Sequence, residues 1–172
     1  MNSSAKRWLI GICTGVSLTS AFYCGRYYVH RNDKYTKMAH LLHVDADKWA
    51  DLNVLFDKSQ SQHTLSDSEL DRIQVWLGDA NSEVSTRALF ALRTCSLQPA
   101  RTRALALTRS CLSSSKSIMR RKAVYSLVVE RDPTLVKDVS DSLKDPDADV
   151  RAEANDALKG VANGASSASP HP

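Results

Sequence analysis

The stretch LKDPDADVRAEANDAL, residues 143–158, holds a turn signal at Asp145, Pro146 and Asp147, followed by Val150, Ala154, Ala157 and Leu158. Those four lie at relative offsets 0, 4, 7 and 8, which is one face of a helix with 3.6 residues per turn. Leu143, seven residues before Val150, closes the preceding apolar run. The same register recurs twice upstream. Leu77 leads to Val84, Ala88, Ala91 and Leu92, and Leu112 leads to Met119, Ala123, Ser126 and Leu127, so the interval is 35 and then 31 residues. Polar breakers interrupt the units at matching places, over residues 78–81, 113–115 and 145–147. The pattern predicts two helices joined by a tight turn in every unit. Ala or Ser at two of the four core positions lets neighbouring helices approach closely. One such pair cannot bury its apolar face, whereas three stacked pairs share a continuous core. The expected fold class is all-α.

The unit at 143–158 resembles a HEAT-like repeat of the short type associated with bacterial lyases. The unit at 77–92 is similar but lacks the Pro, and the middle unit departs further, with Ser113, Ser114 and Ser115 in place of the Asp-Pro turn. Lys122 and Ser126 also stand there at positions that are often smaller or apolar. The likeness spans residues 66–160 and implies a short right-handed α-solenoid of about three HEAT-like helical hairpins, over residues 65–160. Residues 37–64 are expected to form one or two capping helices and a linker over 59–64, since Leu41, Leu42, Trp49, Leu52, Leu55 and Phe56 recur at helical intervals. Trp49 lies 35 residues before Val84, which leaves a degenerate fourth unit open, although Asn53 and Asp57 occupy slots expected to be small or apolar. Residues 161–172 are polar and small and are expected to form a disordered tail.

A different chemistry governs the start of the chain. After a short basic N-terminus, residues 1–7, residues 8–25 (WLIGICTGVSLTSAFYCG) carry no formal charge and lie between Lys6-Arg7 and Arg26. That length predicts a transmembrane helix preceding the solenoid. Trp8 at one end and Tyr23, Tyr27 and Tyr28 at the other would sit at the two membrane–water interfaces. Residues 26–36 form a basic juxtamembrane segment. Two Lys or Arg before the apolar stretch against four after it place the C-terminal domain on the cytosolic side. A bacterial inner membrane and a mitochondrial outer membrane both fit. Gly11 and Gly15 begin a stripe of small residues suited to helix–helix packing, hence to self-association through the membrane helix. A cleaved signal peptide ending in Thr19, Ser20 and Ala21 is the competing reading, and a buried core helix is a third.

At 172 residues, 42% of them hydrophobic and 24% charged, the chain has room for one ordinary folded domain plus this appended segment. Four cysteines, Cys13, Cys24, Cys95 and Cys111, show no C-x-x-C spacing, so neither a disulfide framework nor a zinc site is indicated. His40, His43 and Asp47 would share one face of a continuous helix, but a solvated polar face explains them as well. No phosphate loop, nucleophile elbow or metal-binding helix motif is present. Some HEAT-like proteins attach or detach bilin pigments. No residue here maps onto that activity, so an accessory or catalytic subunit acting on a cofactor-bearing protein is the alternative, and an enzyme or a bound cofactor is not expected.

Charge is distributed unevenly. Residues 1–40 carry a net +5 of the total +4, leaving the rest at −1. Positions 84–129 contain no acid but nine basic residues, Arg87, Arg93, Arg101, Arg103, Arg109, Lys116, Arg120, Arg121 and Lys122, whereas positions 130–156 are acidic by five. A basic middle repeat suits an acidic protein partner, or anionic lipid near the membrane; nucleic acid fits poorly, because Phe90 and Tyr125 are the only aromatics in the belt. Arg87, Arg93, Arg120, Arg121 and Lys122 are the candidate partner-binding residues, with Arg120 and Arg121 expected on the solvent side. The functional expectation is a membrane-anchored helical-repeat adaptor or scaffold that recruits a protein.

Overall fold

The computed structural model describes residues 34–129 and 135–166, and among them every regular element is helical. The expected membrane helix with Trp8, Gly11, Gly15, Tyr23, Tyr27 and Tyr28 lies outside the described residues, as do positions 167–172 of the expected tail. Among the described residues no helix is long and apolar enough to cross a membrane.

The chain divides into two units between Ala50 and Asp51. In the first, helix α1 spans 34–41 and ends in a turn where His43 takes a left-handed φ of 53°, with Val44 N–H donating to the Ala39 carbonyl at 3.0 Å. That turn breaks the helical spacing on which a shared face for His40, His43 and Asp47 depended. Ala39 is buried, while Leu41, about 200° further round the helix, is exposed. Asp45 then starts α2 (Ala46–Gln62) by accepting the Lys48 N–H at 2.8 Å.

Most of α2 belongs to the second unit, with α3 (Asp67–Leu77), α4 (Ser82–Arg93), α5 (Ala100–Ser110), α6 (Ser117–Val129), α7 (Val136–Asp141) and α8 (Ala148–Ser166). Single 3-10 turns, Cys111–Ser113 and Ser142–Lys144, extend α5 and α7. Ser66 starts α3 with a capping box, its hydroxyl accepting from Glu69 N–H while the Glu69 carboxylate accepts from Ser66 N–H. α4 packs on α6 and α6 on α8, while α3, α5 and α7 each lie against the longer helix that follows them.

The repeating register is the register of burial. Val84, Met119 and Val150 are buried, as are Ala88, Ala123 and Ala154, then Ala91, Ser126 and Ala157, then Leu92 and Leu127, with Leu158 half-buried. Ser126 fits a slot that Ala fills elsewhere because its hydroxyl donates to the Lys122 carbonyl at 2.8 Å. Leu127, Val124, Leu135, Val139, Val150 and Ala154 form one apolar cluster joining the last two hairpins. The expected closing leucines are less uniform, since Leu77 and Leu112 are half-buried and Leu143 is exposed.

Two boundaries differ from the sequence expectation. α2 runs to Gln62, so most of the 59–64 linker is helix, its end tied down where the His63 carbonyl accepts the Ser96 and Leu97 N–H groups at 3.0 Å. α8 continues to Ser166, past the boundary drawn at 160, through a run whose Ala162 and Ala165 favour helix.

Leu127→Ala removes a fully buried side chain from the cluster and is expected to cost about 2–5 kcal/mol, read as a lowered denaturation midpoint. Burial also pushes the Cys95 and Cys111 thiols up from 9.0 to about 11. In protein with Cys13 and Cys24 changed to Ser, both should resist an aromatic disulfide reagent at pH 8 until denaturant is added; rapid labelling of native protein would contradict this packing.

Candidate functional site

The turns between paired helices are built on one plan. Asp79 accepts the Asn81 N–H at 2.9 Å, Ser114 the Lys116 N–H at 3.3 Å, and Asp145 the Asp147 N–H at 2.9 Å, each through its side-chain oxygen. The middle unit, which departs most in sequence, thus keeps the turn by substituting a hydroxyl for a carboxylate. Asn81 and Asp147 then cap the following helices, accepting from Glu83 N–H at 2.8 Å and Asp149 N–H at 2.9 Å. Lys116 stands at the matching place and instead donates to the Asp79 and Ala80 carbonyls of the preceding turn.

On this frame most of the basic belt is engaged by neighbouring helices and turns. Arg120 Nε and Nη2 donate to the two oxygens of Asp145 at 2.7 and 2.9 Å, while Nη1 donates to the Ser114 carbonyl at 2.8 Å. The two side chains are only 13% and 8% exposed, so the expectation that Arg120 faces solvent is corrected: it clamps the next turn. Its hydrogen bonds to Asp145 hold the guanidinium above its usual range and Asp145 below the usual carboxylate range. Arg151 repeats the same reach within its own turn, donating to the Asp145 and Pro146 carbonyls at 2.7 and 2.9 Å. Arg121 pairs with Asp149 at 3.5 Å, Arg109 with Asp138 at 2.7 Å, and Arg103 with Asp67 and Asp71. Arg87 donates to Asn53 at 3.1 and 2.8 Å and lies 3.5 Å over the Phe56 ring, which accounts for an Asn in a slot that elsewhere holds Ala.

Two candidate residues remain differently placed. Arg93 lies 5.3 Å over the Phe90 ring and 5.5 Å over Tyr125, and the Lys122 ammonium lies 5.9 Å over Phe90. Neither cation has a carboxylate partner among the described residues. Phe90 and Tyr125 are 35 residues apart, the repeat interval, so both rings stand at the same place on successive helices α4 and α6. Tyr125 is 42% exposed. The structure therefore divides the five candidates: Arg93, Lys122 and the two rings form a partly exposed cation–aromatic cluster, whereas Arg87, Arg120 and Arg121 join neighbouring helices and turns. The rings were the residues not singled out from sequence, and their equal spacing was the available signal.

An open depression of about 260 Å³ between α6 and α8 is lined by Ser117, Ile118, Arg121, Asp147 and Asp149. Its charges serve caps and the Arg121–Asp149 pair, and a hydrogen bond from Ser117 holds Asp147 below its usual range. Among the described residues no group of three His, Cys, Asp or Glu is placed to hold a metal ion.

Asp145→Asn keeps the turn acceptor but removes the charge facing Arg120. The expected loss at pH 7 is about 1–3 kcal/mol, typical of leaving a buried charged donor poorly paired. Because the folded Asp145 titrates below its unfolded value of about 3.9, its stabilisation is fully present above that value and vanishes as pH falls through the folded one. Urea titrations should show wild type and variant converging in strong acid; a gap that persists there would assign the loss to something other than the charge. Asp145→Ala, which also loses the turn acceptor, should be the weaker of the two variants.

No protein-family model matches this chain, and no curated protein matches it either.

Proposed function

We propose that this chain is a membrane-anchored interaction module whose stacked hairpins, of the HEAT-like kind and wound right-handedly, recruit a protein partner. The single observation that carries the recruiting role is the pair Arg93 and Lys122. Among the described residues neither has a carboxylate partner; Arg93 lies over Phe90 and Tyr125 and Lys122 over Phe90, in a belt where Arg87, Arg103, Arg109, Arg120 and Arg121 are engaged by neighbouring helices and turns. Both cations are half-buried beside an exposed Tyr125, and Arg and Tyr are enriched among the residues that carry binding energy at protein interfaces. The repeat reading is supported by identical burial at positions 84, 119 and 150 and at 88, 123 and 154. The anchor rests on the uncharged residues 8–25, their basic flanks and their aromatic ends, with the repeats on the cytosolic side and Gly11 and Gly15 available for pairing of membrane helices.

The full-length protein is expected to stay in the membrane pellet after an alkaline carbonate wash with its N-terminus intact. It is also expected to capture a specific partner from cross-linked membranes that a tag-only control does not, with the yield falling at roughly 0.5 M salt, where exposed charges are screened. Release into the supernatant with a new start near Phe22 would establish a signal peptide instead, and absence of any specific partner would remove the recruiting role.

A further inference from the structure

We infer that the Phe90–Arg93–Lys122–Tyr125 cluster is a docking site for an extended acidic segment of a partner protein. The inference rests on the interaction-module reading and specifies the chemistry of what that module takes. Three observations converge on it.

The first is charge. Positions 84–129 contain no acid, and the pairs that Arg103, Arg109, Arg120 and Arg121 make are drawn from the helices or turns before and after. Among the described residues Arg93 and Lys122 have aromatic rings in place of counter-ions. A ring face offsets part of a cation's charge but supplies no acceptor for its N–H groups, so a ligand carboxylate would add what the rings do not.

The second is pre-organisation. Arg93 is held against rings from two successive helices, 5.3 Å from Phe90 and 5.5 Å from Tyr125. Two ring contacts restrict the side chain's rotamers, and a guanidinium can take a carboxylate through two parallel N–H groups. Little further side-chain entropy is then lost on binding, which favours affinity. Lys122 lies over the same Phe90 ring at 5.9 Å, so one ring carries both charges. Alternate side chains of an extended segment lie on one face about 6.6 Å apart, so such a segment brings several carboxylates to a small patch.

The third is exclusion. Base stacking on a nucleic-acid-binding surface needs open ring faces, and here Arg93 lies over both rings and Lys122 over Phe90. An anionic membrane gains about 1 kcal/mol per basic residue, so two cations add little there, whereas a carboxylate can pair directly with each of them. Tyr125, 42% exposed, lends apolar area beside the charges.

The test uses the full chain in detergent micelles, with a fluorescein-labelled peptide of alternating Glu and Ser, its Gln-and-Ser counterpart, and phosphatidylcholine vesicles with and without phosphatidylserine. The Glu peptide is expected to bind and the Gln peptide not. Arg93→Gln with Lys122→Gln should weaken binding at least about tenfold, the order expected for losing two charge-assisted contacts, with helical content and melting unchanged. Lys137→Gln with Lys159→Gln, which removes the same formal charge from exposed positions on α7 and α8, should leave binding unaltered. Tyr125→Phe should bind as wild type, and Tyr125→Ala should bind more weakly. Equal weakening by both charge doubles would overturn the site, as would binding confined to phosphatidylserine vesicles, or self-association in sedimentation that the Arg93 and Lys122 changes abolish without peptide binding. Retention of the captured membrane partner by the Arg93 and Lys122 double variant would overturn this site while leaving the interaction module intact; a wild-type protein that captures no partner overturns the module itself.

Discussion

Close approach of helices at the small residues Ala88, Ala123 and Ala154 is the constraint from which the rest of this structure follows. With Ala or Ser at the positions facing a neighbour, a single hairpin offers too little apolar area to offset the entropy of ordering it. Larger residues at Val84, Met119 and Val150, and at Leu92 and Leu127, fill the space between helices that the alanines have brought together. Every hairpin depends on the next, and the last two share one cluster reaching from Val124 to Ala157. Polar residues enter this core only where their hydrogen bonds are met locally, as at Ser126, or by a neighbouring repeat, as at Asn53.

Close approach also brings turns from successive units together, and there charge takes over from packing. Arg120 holds the carbonyl of Ser114 in its own turn and the carboxylate of Asp145 in the next with one guanidinium. Five donors in a rigid plane can serve two turns at once in a way that an ammonium cannot. The exposed pairs, such as Arg103 with Asp67 and Asp71, are individually weak. Together they match a basic hairpin to acidic or neutral neighbours.

The helical core was legible in the sequence because burial follows a short local period, and the residues at offsets 0, 4, 7 and 8 could be read without knowing their neighbours. The charges were only half legible. A run without acids marks an electrostatic excess, but whether it faces solvent or a neighbouring repeat depends on contacts 25 to 37 residues away, as for Arg120 with Asp145 and Lys116 with Asp79. Asn53 looked like a departure from the pattern until Arg87, 34 residues on, supplied its donors. The serine-rich middle turn looked degenerate for a related reason: composition hides that a hydroxyl and a carboxylate can accept the same backbone N–H. Within the candidate site, Arg93 and Lys122 were read as basic positions. The rings that distinguish them from Arg87, Arg120 and Arg121 become meaningful once α4 and α6 lie side by side.

Sign-matched hairpins also bear on how such an array changes over generations. A duplicated copy of the middle hairpin would set arginines against arginines, where the present neighbours offer Asp67, Asp71, Asp138, Asp145 and Asp149. Exchanging the order of hairpins would separate Arg120 from the turn it grips. The stack is thus keyed to its own order of helices: a further hairpin would fit beside these only if its charges complemented those of its neighbours.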